Sequence, residues 1–160
     1  MKLWIMGKIR EHVLGYDSYS YWKMRIKVSK AQKSKFTLYF LLYRLKRIEG
    51  KNNSSLGTNI GVDNFQGIPT LPHGLSGIYV SPNAYIGENA RIFQQVTIGQ
   101  QNGRAPYIGK NVEIGSGAKI IGQVTIGNNV KIGANSVVIT DIPDNCFVAG
   151  VPAKIKKIGW

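Results

Sequence analysis

Aliphatic residues recur at every sixth position along the C-terminal two-thirds of the chain. The run from Ile114 to Val137 reads IGSGAK IIGQVT IGNNVK IGANSV. An α-helix repeats near 3.6 residues and a strand repeats at two, so neither element alone has a period of six. Six equals three strand steps, and the Gly and Asn residues in between tolerate the positive φ of a tight corner. Each hexad therefore predicts a short strand plus a corner, and three hexads predict one coil of a parallel β-helix.

One frame of this repeat holds over ten hexads and identifies the interior of the predicted β-helix. The first position is aliphatic in each of them, at Val80, Ile86, Ile92, Ile98, Ile108, Ile114, Ile120, Ile126, Ile132 and Val138. The fifth position is mostly small or β-branched, at Ala84, Ala90, Val96, Val112, Ala118, Val124, Val130, Ser136 and Ile142. Both sets are expected to face the core, because alternate residues of a strand point the same way. Extended backwards, the frame places Ile68 and Gly74 at first positions.

The frame breaks once, between Ile98 and Ile108, where the step is ten residues instead of six. Four extra residues are therefore expected to bulge out around Gln100 to Pro106. Extra residues in a solenoid form loops on one face, which is often the binding face. The break predicts a loop at the functional site.

The first third of the chain has a helical pattern instead. A helix capped by Ser18 or Ser20 is predicted, followed by a second helix from near Ser34 to Ile48, and Gly50 is typical of a helix end. A broad apolar face is expected on the second helix, formed by Phe36, Leu38, Tyr39, Phe40, Leu42, Tyr43, Leu45 and Ile48.

Charge is concentrated in this helical part. Residues 1–51 hold 13 of the 21 Lys and Arg residues and three of the eight acidic residues, a net charge of +10, whereas the remainder carries +3. A cap that packs on the open end of the solenoid explains the apolar face. Attraction to anionic lipid or to a phosphate-linked glycan explains the charge. No nucleic-acid partner is expected, because no recognisable motif accompanies the charge. We predict two domains, a basic α-helical cap over residues 1–51 and a β-helix over residues 58–158.

Composition also limits the compartment and the chemistry. The single cysteine, Cys146, cannot form an internal disulfide, so we expect a reducing compartment and a small buried side chain. No His, Asp or Cys cluster has the spacing of a metal site, so no metal is expected. The strongest apolar run, 36–42, is too short to span a bilayer, and no signal peptide is expected. The predicted location is cytoplasmic, or peripheral at the inner face of the membrane.

The chain has two histidines, of which one is a candidate general base. His12 lies in the basic helical part without companion residues for catalysis and is interpreted as a surface or packing residue. His73 directly precedes the first position at Gly74, so its side chain is expected to point out of the prism. A glycine where an aliphatic residue is expected indicates a local distortion or a close backbone approach.

Four short stretches around this histidine and along the repeat carry a family resemblance. Residues 59–62 read NIGV, 72–77 read PHGLSG, 92–99 read IFQQVTIG and 150–155 read GVPAKI. They are similar to the DIHP, DHATG, ILQSVTLG and GVPARI stretches of the serine acetyltransferase branch of the hexapeptide-repeat acyltransferases. Residues 58–157 as a whole resemble that branch. The resemblance implies a left-handed β-helix, a homotrimer with active sites between neighbouring prisms, and acetyl transfer from acetyl-CoA to a hydroxyl.

The resemblance also assigns roles to individual residues. His73 matches the family's general base, and Asn59 matches the Asp that orients it. The coenzyme edge of the family corresponds to Ser116, Gly117, Lys119, Ala134 and Lys154, although corner geometry alone is the alternative for the small residues. Acceptor contacts are expected from Arg104, Asp63 and Gln95. Backbone N–H groups would hold the oxyanion, and the mechanism requires neither an acyl-enzyme nor a metal.

Departures from the family pattern bear on the acceptor. Pro72 replaces an Asp that helps to hold the amino group of serine, and Ala105 stands where the family has a second histidine, although Arg104 remains. Loss of two polar contacts weakens recognition of a small amino acid. We therefore expect a sugar O-acetyltransferase of surface polysaccharide biosynthesis, with a sugar or glycan acceptor. A serine O-acetyltransferase of cysteine biosynthesis and a non-catalytic trimeric interaction scaffold are the alternatives.

Overall fold

The computed structural model describes residues 16–31 and 33–159 of the chain. Two helices, α1 (Ser18–Ser29) and α2 (Lys35–Lys51), precede a series of short strands. The strands are β1 (Tyr79–Val80), β2 (Tyr85–Ile86), β3 (Arg91–Ile92), β4 (Thr97–Gly99), β5 (Tyr107–Ile108), β6 (Glu113–Ile114), β7 (Lys119–Ile121), β8 (Thr125–Ile126), β9 (Lys131–Ile132), β10 (Val137–Val138), β11 (Cys146–Ala149) and β12 (Lys154–Ile158).

The strands stack into three sheets that form the faces of a prism. Sheet A has the order β1-β4-β7-β10, sheet B has the order β2-β5-β8, and sheet C contains β3-β6-β9-β11 with β12 at its end. Pairing is parallel between successive coils, as between Thr97 and Lys119 in sheet A, and only the β11–β12 pair is antiparallel among the named strands. The predicted parallel β-helix is therefore confirmed.

The interior of the prism is made of the residues that the six-residue frame selects. All ten first-position residues and all nine fifth-position residues are at most 4% exposed. Each fully buried Ile or Val side chain contributes about 1.5–3 kcal/mol relative to an exposed one. Cys146 is also fully buried, as expected for a structural thiol.

The frame is wrong in the first coil. Ile68 is 58% exposed, and Gly74 lies in a turn that spans residues 72–77. Paired residues of neighbouring regular coils are 18 residues apart, as for Tyr79 and Thr97. In the first coil the separations are larger: Ser55 and Tyr79 are 24 residues apart, and Phe65 and Ile86 are 21 apart. The extra residues shift the register, so that Leu75 and Ile78 fill the core instead.

The helices begin close to the predicted positions. Asp17 caps α1 in place of a serine, and its carboxylate accepts a hydrogen bond of 3.1 Å from the Tyr19 N–H. The second helix, α2, starts near Ser34 as predicted, with Ser34 as its N-cap, but it continues past Ile48 to Lys51, so Gly50 lies inside it. Within the part of the chain that the structure describes, neither helix is long and apolar enough to cross a membrane.

Only part of the predicted apolar face of α2 packs against the rest of the protein. Leu38 and Leu45 are buried, whereas the aromatic residues of the same helix are exposed. The buried side of the helical hairpin rests on the first coil, where the Gly61 N–H donates to the Val28 carbonyl. The hairpin therefore covers the N-terminal end of the solenoid.

Corners between the sheets form the long edges of the prism, which we name by the sheets that they join. Edge CA comprises 71–78, 93–96, 115–118 and 133–136; edge AB comprises 56–64, 81–84, 100–106, 122–124 and 139–141; edge BC comprises 87–90, 109–112, 127–130 and 143–145.

Candidate active site

His73 lies on edge CA, in the turn that joins the first coil to β1. Its side chain is exposed, as expected for a residue that points out of the prism. The imidazole packs against Phe93 of the next coil, with ring centroids 6.0 Å apart and planes inclined by 43°. Among the described residues the ring has no hydrogen-bond partner, so both nitrogens are open to a substrate.

Phe93 also contacts Arg91. The Arg91 guanidinium lies 5.2 Å from the centre of the Phe93 ring, and Arg91 also forms an ion pair of 3.4 Å with Glu113. Phe93 therefore contacts both Arg91 and His73 at the edge of the prism. Phe93 could not be predicted from the sequence as part of the site, because the residue that contacts His73 depends on the length of the coil.

Most of the predicted coenzyme residues follow His73 along the same edge. Ser116, Gly117 and Ala134 occupy edge CA in two successive coils, and Gln95, a predicted acceptor contact, occupies the same edge in the preceding coil. Lys119 is the first residue of β7, and its ammonium group donates a hydrogen bond of 2.8 Å to the Gln95 carbonyl. Lys154 begins β12 and pairs with Ala149. The edge thus presents one continuous row of backbone and small side chains that starts at His73.

Gly117 is required by the geometry of its corner. Its φ is +72°, and a Cβ atom there would lie 2.1 Å from the Asn135 side-chain oxygen. Corner geometry alone accounts for this glycine, and its contact with a coenzyme stays a prediction.

Asn59 lies on edge AB and not beside His73. It belongs to the connection between Ser55 in sheet A and Phe65 in sheet B, and its side-chain oxygen accepts a hydrogen bond of 2.8 Å from the Ile60 N–H. The structure does not bring Asn59 and His73 together within one chain. The orienting role of Asn59 stays a prediction.

The predicted loop at 100–106 is present on the same edge AB. Gln101 and Arg104 pair across a tight turn in which Asn102 and Gly103 have φ values of 52° and 77°. The Arg104 guanidinium donates a hydrogen bond of 2.8 Å to the Gln123 side chain. Arg104 is therefore exposed and oriented, but it lies on a different edge from His73.

Asp63 is also on edge AB, and it borders a cavity of about 180 Å³ between α1 and residues 63–68. A second cavity, of about 690 Å³, shares Trp22, Ile26 and Ile68 with the first and is also bordered by Tyr19. Neither cavity is lined by His73 or by the coenzyme edge. The candidate site is thus an open edge of the prism. The other histidine, His12, lies outside the described residues.

The comparisons with known proteins agree with this architecture. Residues 105–140 match the family described as Bacterial transferase hexapeptide (six repeats). A serine acetyltransferase of Synechococcus elongatus is 42% identical over 89 residues, which are 53% of this chain and 36% of that protein. A serine acetyltransferase of Neisseria gonorrhoeae solved with serine superimposes with a TM-score of 0.62 and 36% identity over 75% of this chain and 48% of that one. A serine acetyltransferase solved with CoA gives a TM-score of 0.69 and 29% identity over 88% of this chain and 57% of that one.

A stacked prism of six-residue repeats with an exposed histidine at one edge defines a hexapeptide-repeat protein. The repeats match the hexapeptide family over residues 105–140, and the sequence and fold are similar to those of serine acetyltransferases. The chain spans only about a third to about half of the length of the relatives it matches, 36% for the Synechococcus protein and 48% for the Neisseria one.

Proposed function

We propose that the protein transfers the acetyl group of acetyl-CoA to an acceptor hydroxyl, with His73 as the general base. The observation that carries this proposal is the position of His73 at the start of a single edge that also holds Gln95, Ser116 and Ala134. An extended ligand laid along that edge would bring its reactive end to the imidazole. A relative of similar fold was solved with CoA, which supports acetyl-CoA as the donor.

The chemistry needs only the imidazole and the bound substrates. A nitrogen of His73 takes the proton of the acceptor hydroxyl while the hydroxyl oxygen attacks the thioester carbonyl. The carbon–sulfur bond then breaks, and the CoA thiolate leaves and receives the proton. General-base catalysis of this kind contributes roughly 10²–10⁴ in rate. Cys146 is fully buried in the core, so it is not available to form an acyl-enzyme.

Serine is the first candidate acceptor. The curated relatives are named serine acetyltransferases, and one solved relative contains serine. Arg104, which matches the family residue that holds the serine carboxylate, is exposed on its loop. The comparisons therefore favour serine over the sugar that the sequence analysis preferred.

A sugar hydroxyl is the second candidate, and a specific observation supports it. Pro72 and Ala105 supply no side-chain hydrogen-bonding group at the two positions where the family has Asp and His. A site that lacks those groups gains less from the amino group of serine. The proposed acceptor would then belong to a surface polysaccharide.

An acetyl-CoA thiol-release assay tests both candidates. The protein is assayed with serine, free sugars and nucleotide sugars, and His73→Ala is assayed beside it. We expect one acceptor class to raise thiol release well above hydrolysis, and His73→Ala to lower kcat by roughly 10²–10⁴ with unchanged CoA affinity. Normal turnover by His73→Ala would remove this residue from the mechanism. CoA binding without turnover of any acceptor would favour the non-catalytic scaffold.

A further inference from the structure

The outer face of α2 carries an exposed aromatic stripe. Phe36, Tyr39, Phe40 and Tyr43 follow each other at spacings of three, one and three residues, which places them on one side of a helix. Their side chains are 85%, 64%, 54% and 61% exposed, whereas Leu38 and Leu45 on the opposite side are buried. Contiguous exposed apolar surface marks an interaction site more often than isolated apolar residues do.

The same face becomes basic towards the C-terminal end of the helix. Tyr43, Arg44, Arg47, Ile48 and Lys51 line a groove of about 330 Å³. A guanidinium group matches the geometry of phosphate oxygens and binds them with paired hydrogen bonds. The groove therefore suits a phosphate group next to the aromatic stripe.

No acidic side chain of α2 neutralises this face. Glu49 is the one acidic residue of the helix, and it is 1% exposed. Its carboxylate points to the protein interior, where it accepts a hydrogen bond of 2.7 Å from the Tyr21 hydroxyl. The exposed side of α2 is thus aromatic in its first half and cationic in its second half.

We infer that this face of α2 binds the surface of an anionic membrane. Phe36, Tyr39, Phe40 and Tyr43 enter the boundary between headgroups and acyl chains, which is the depth that aromatic side chains prefer. Arg44, Arg47 and Lys51 bind lipid phosphates in the adjoining groove. The helix lies in the plane of the interface, and the solenoid stays in the water.

Charge favours a membrane over a second copy of this chain. Residues 16–51 contain ten Lys or Arg and two acidic residues, and the solenoid that follows carries a net charge of +3. Contact between two such faces, or between this face and a neighbouring solenoid, would bring like charges together, which opposes association. An anionic lipid surface supplies the missing opposite charge.

The structure also assigns this role to one helix rather than to the basic part as a whole. Lys23 and Lys30 of the first helical segment are exposed, but the stripe and the groove are both on α2. The salt-sensitive part of the binding comes from the basic groove, and the salt-insensitive part comes from the aromatic stripe. Both therefore lie on neighbouring turns of α2.

Vesicle sedimentation of the full chain across a salt series tests the inference. Vesicles of phosphatidylcholine alone are compared with vesicles of phosphatidylcholine and phosphatidylglycerol in equal parts. The variants are Arg44→Gln/Arg47→Gln for the groove and Phe36→Ser/Phe40→Ser for the stripe. Lys156→Gln/Lys157→Gln in β12 is the matched control, because it removes the same charge from an exposed strand away from α2. Thermal unfolding and the oligomeric mass are recorded for each variant.

We expect binding to the anionic vesicles only. Loss of two basic residues at the contact lowers the affinity by about 30-fold, whereas the β12 control changes little. The stripe variant loses the binding that persists at high salt. The inference is overturned if the control loses as much affinity as the groove variant, or if the full chain ignores both vesicle types. It is also overturned if the stripe variant keeps its vesicle affinity and instead lowers the oligomeric mass, which would identify an interface between copies.

Discussion

One asparagine per coil turns the chain at edge BC. Asn89, Asn111, Asn129 and Asn145 have φ values between 55° and 59°, a region that Asn tolerates better than most residues. Their side-chain amides also form a ladder, with nitrogen-to-oxygen distances of 3.1, 2.9 and 2.9 Å between successive coils. The same side chain therefore stabilises its own corner and the coil beside it.

A buried polar cluster fixes the helical hairpin on the first coil. The Glu49 carboxylate accepts hydrogen bonds from the hydroxyls of Tyr21, at 2.7 Å, and Thr58, at 2.5 Å. Arg25 donates to Thr58, to the Asn64 side chain and to the Leu56 carbonyl. Burial raises the pKa of Tyr21 and lowers the pKa of Arg25, because each charged form is poorly solvated there.

Removal of the Glu49 charge should destabilise the protein. Glu49→Ala removes a negative charge that acts on the buried Arg25 cation and takes the acceptor from the Tyr21 and Thr58 hydroxyls, and breaking a buried ionic cluster costs about 3–5 kcal/mol. The free energy of unfolding from urea titration measures the loss. Glu88→Ala is the matched control, because its ion pair with Lys110 is exposed and should contribute little. Equal effects of the two substitutions would show that the cluster does not hold the hairpin.

At the scale of elements, regular coils could be predicted from the sequence and the first coil could not. Coils with a constant six-residue step repeat one local environment, so the frame through Ile114 and Ile120 gives the core directly. The first coil has extra residues before Phe65 and after Thr70, and the strands that pair across them depend on tertiary contacts. The exposure of the aromatic stripe of α2 could not be predicted for a similar reason. An apolar face in the sequence does not show which of its residues pack against the rest of the protein.

The candidate site shows the same limit. His73 is exposed as predicted, but in the turn over residues 72–77, where the six-residue frame does not hold, whereas the loop follows from the broken step. Phe93 contacts His73 from the following coil, and the identity of that neighbour depends on the length of the coil. The separation of Asn59 from His73 likewise depends on the irregular connection between Ser55 and Phe65.

The loop on edge AB should contribute to acceptor use and not to folding. Deletion of residues 100–103 restores the six-residue step and keeps Arg104, with the buried Pro106 at a fifth position. Because the loop residues 100–104 are exposed, we expect an unchanged melting temperature and CoA affinity but a lower kcat/KM for the acceptor. Steady-state kinetics with a fixed acetyl-CoA concentration measure this. An unchanged kcat/KM would exclude the loop from the acceptor site.

For the whole molecule, the decisive feature is that the two groups expected at one site are on two edges. His73 lies on edge CA, and Arg104 lies on edge AB, with sheet A between them. A rigid prism cannot bend them together, because its interior is filled with packed aliphatic side chains. If both residues contact one acceptor, the second residue must come from another copy of the chain, as the resemblance to trimeric acyltransferases implies.

Mixing two inactive variants tests this arrangement. His73→Ala and Arg104→Ala chains are each expected to have little activity, since each removes one half of every site. When they are unfolded together in equal amounts and refolded, random assembly of a closed ring should restore roughly a quarter of the sites, because a site needs His73 from one variant and Arg104 from the other. The thiol-release rate of the mixture measures this recovery, and each variant refolded alone is the control. A mixture no more active than its components, in particles whose mass confirms co-assembly, would place each complete site within a single chain.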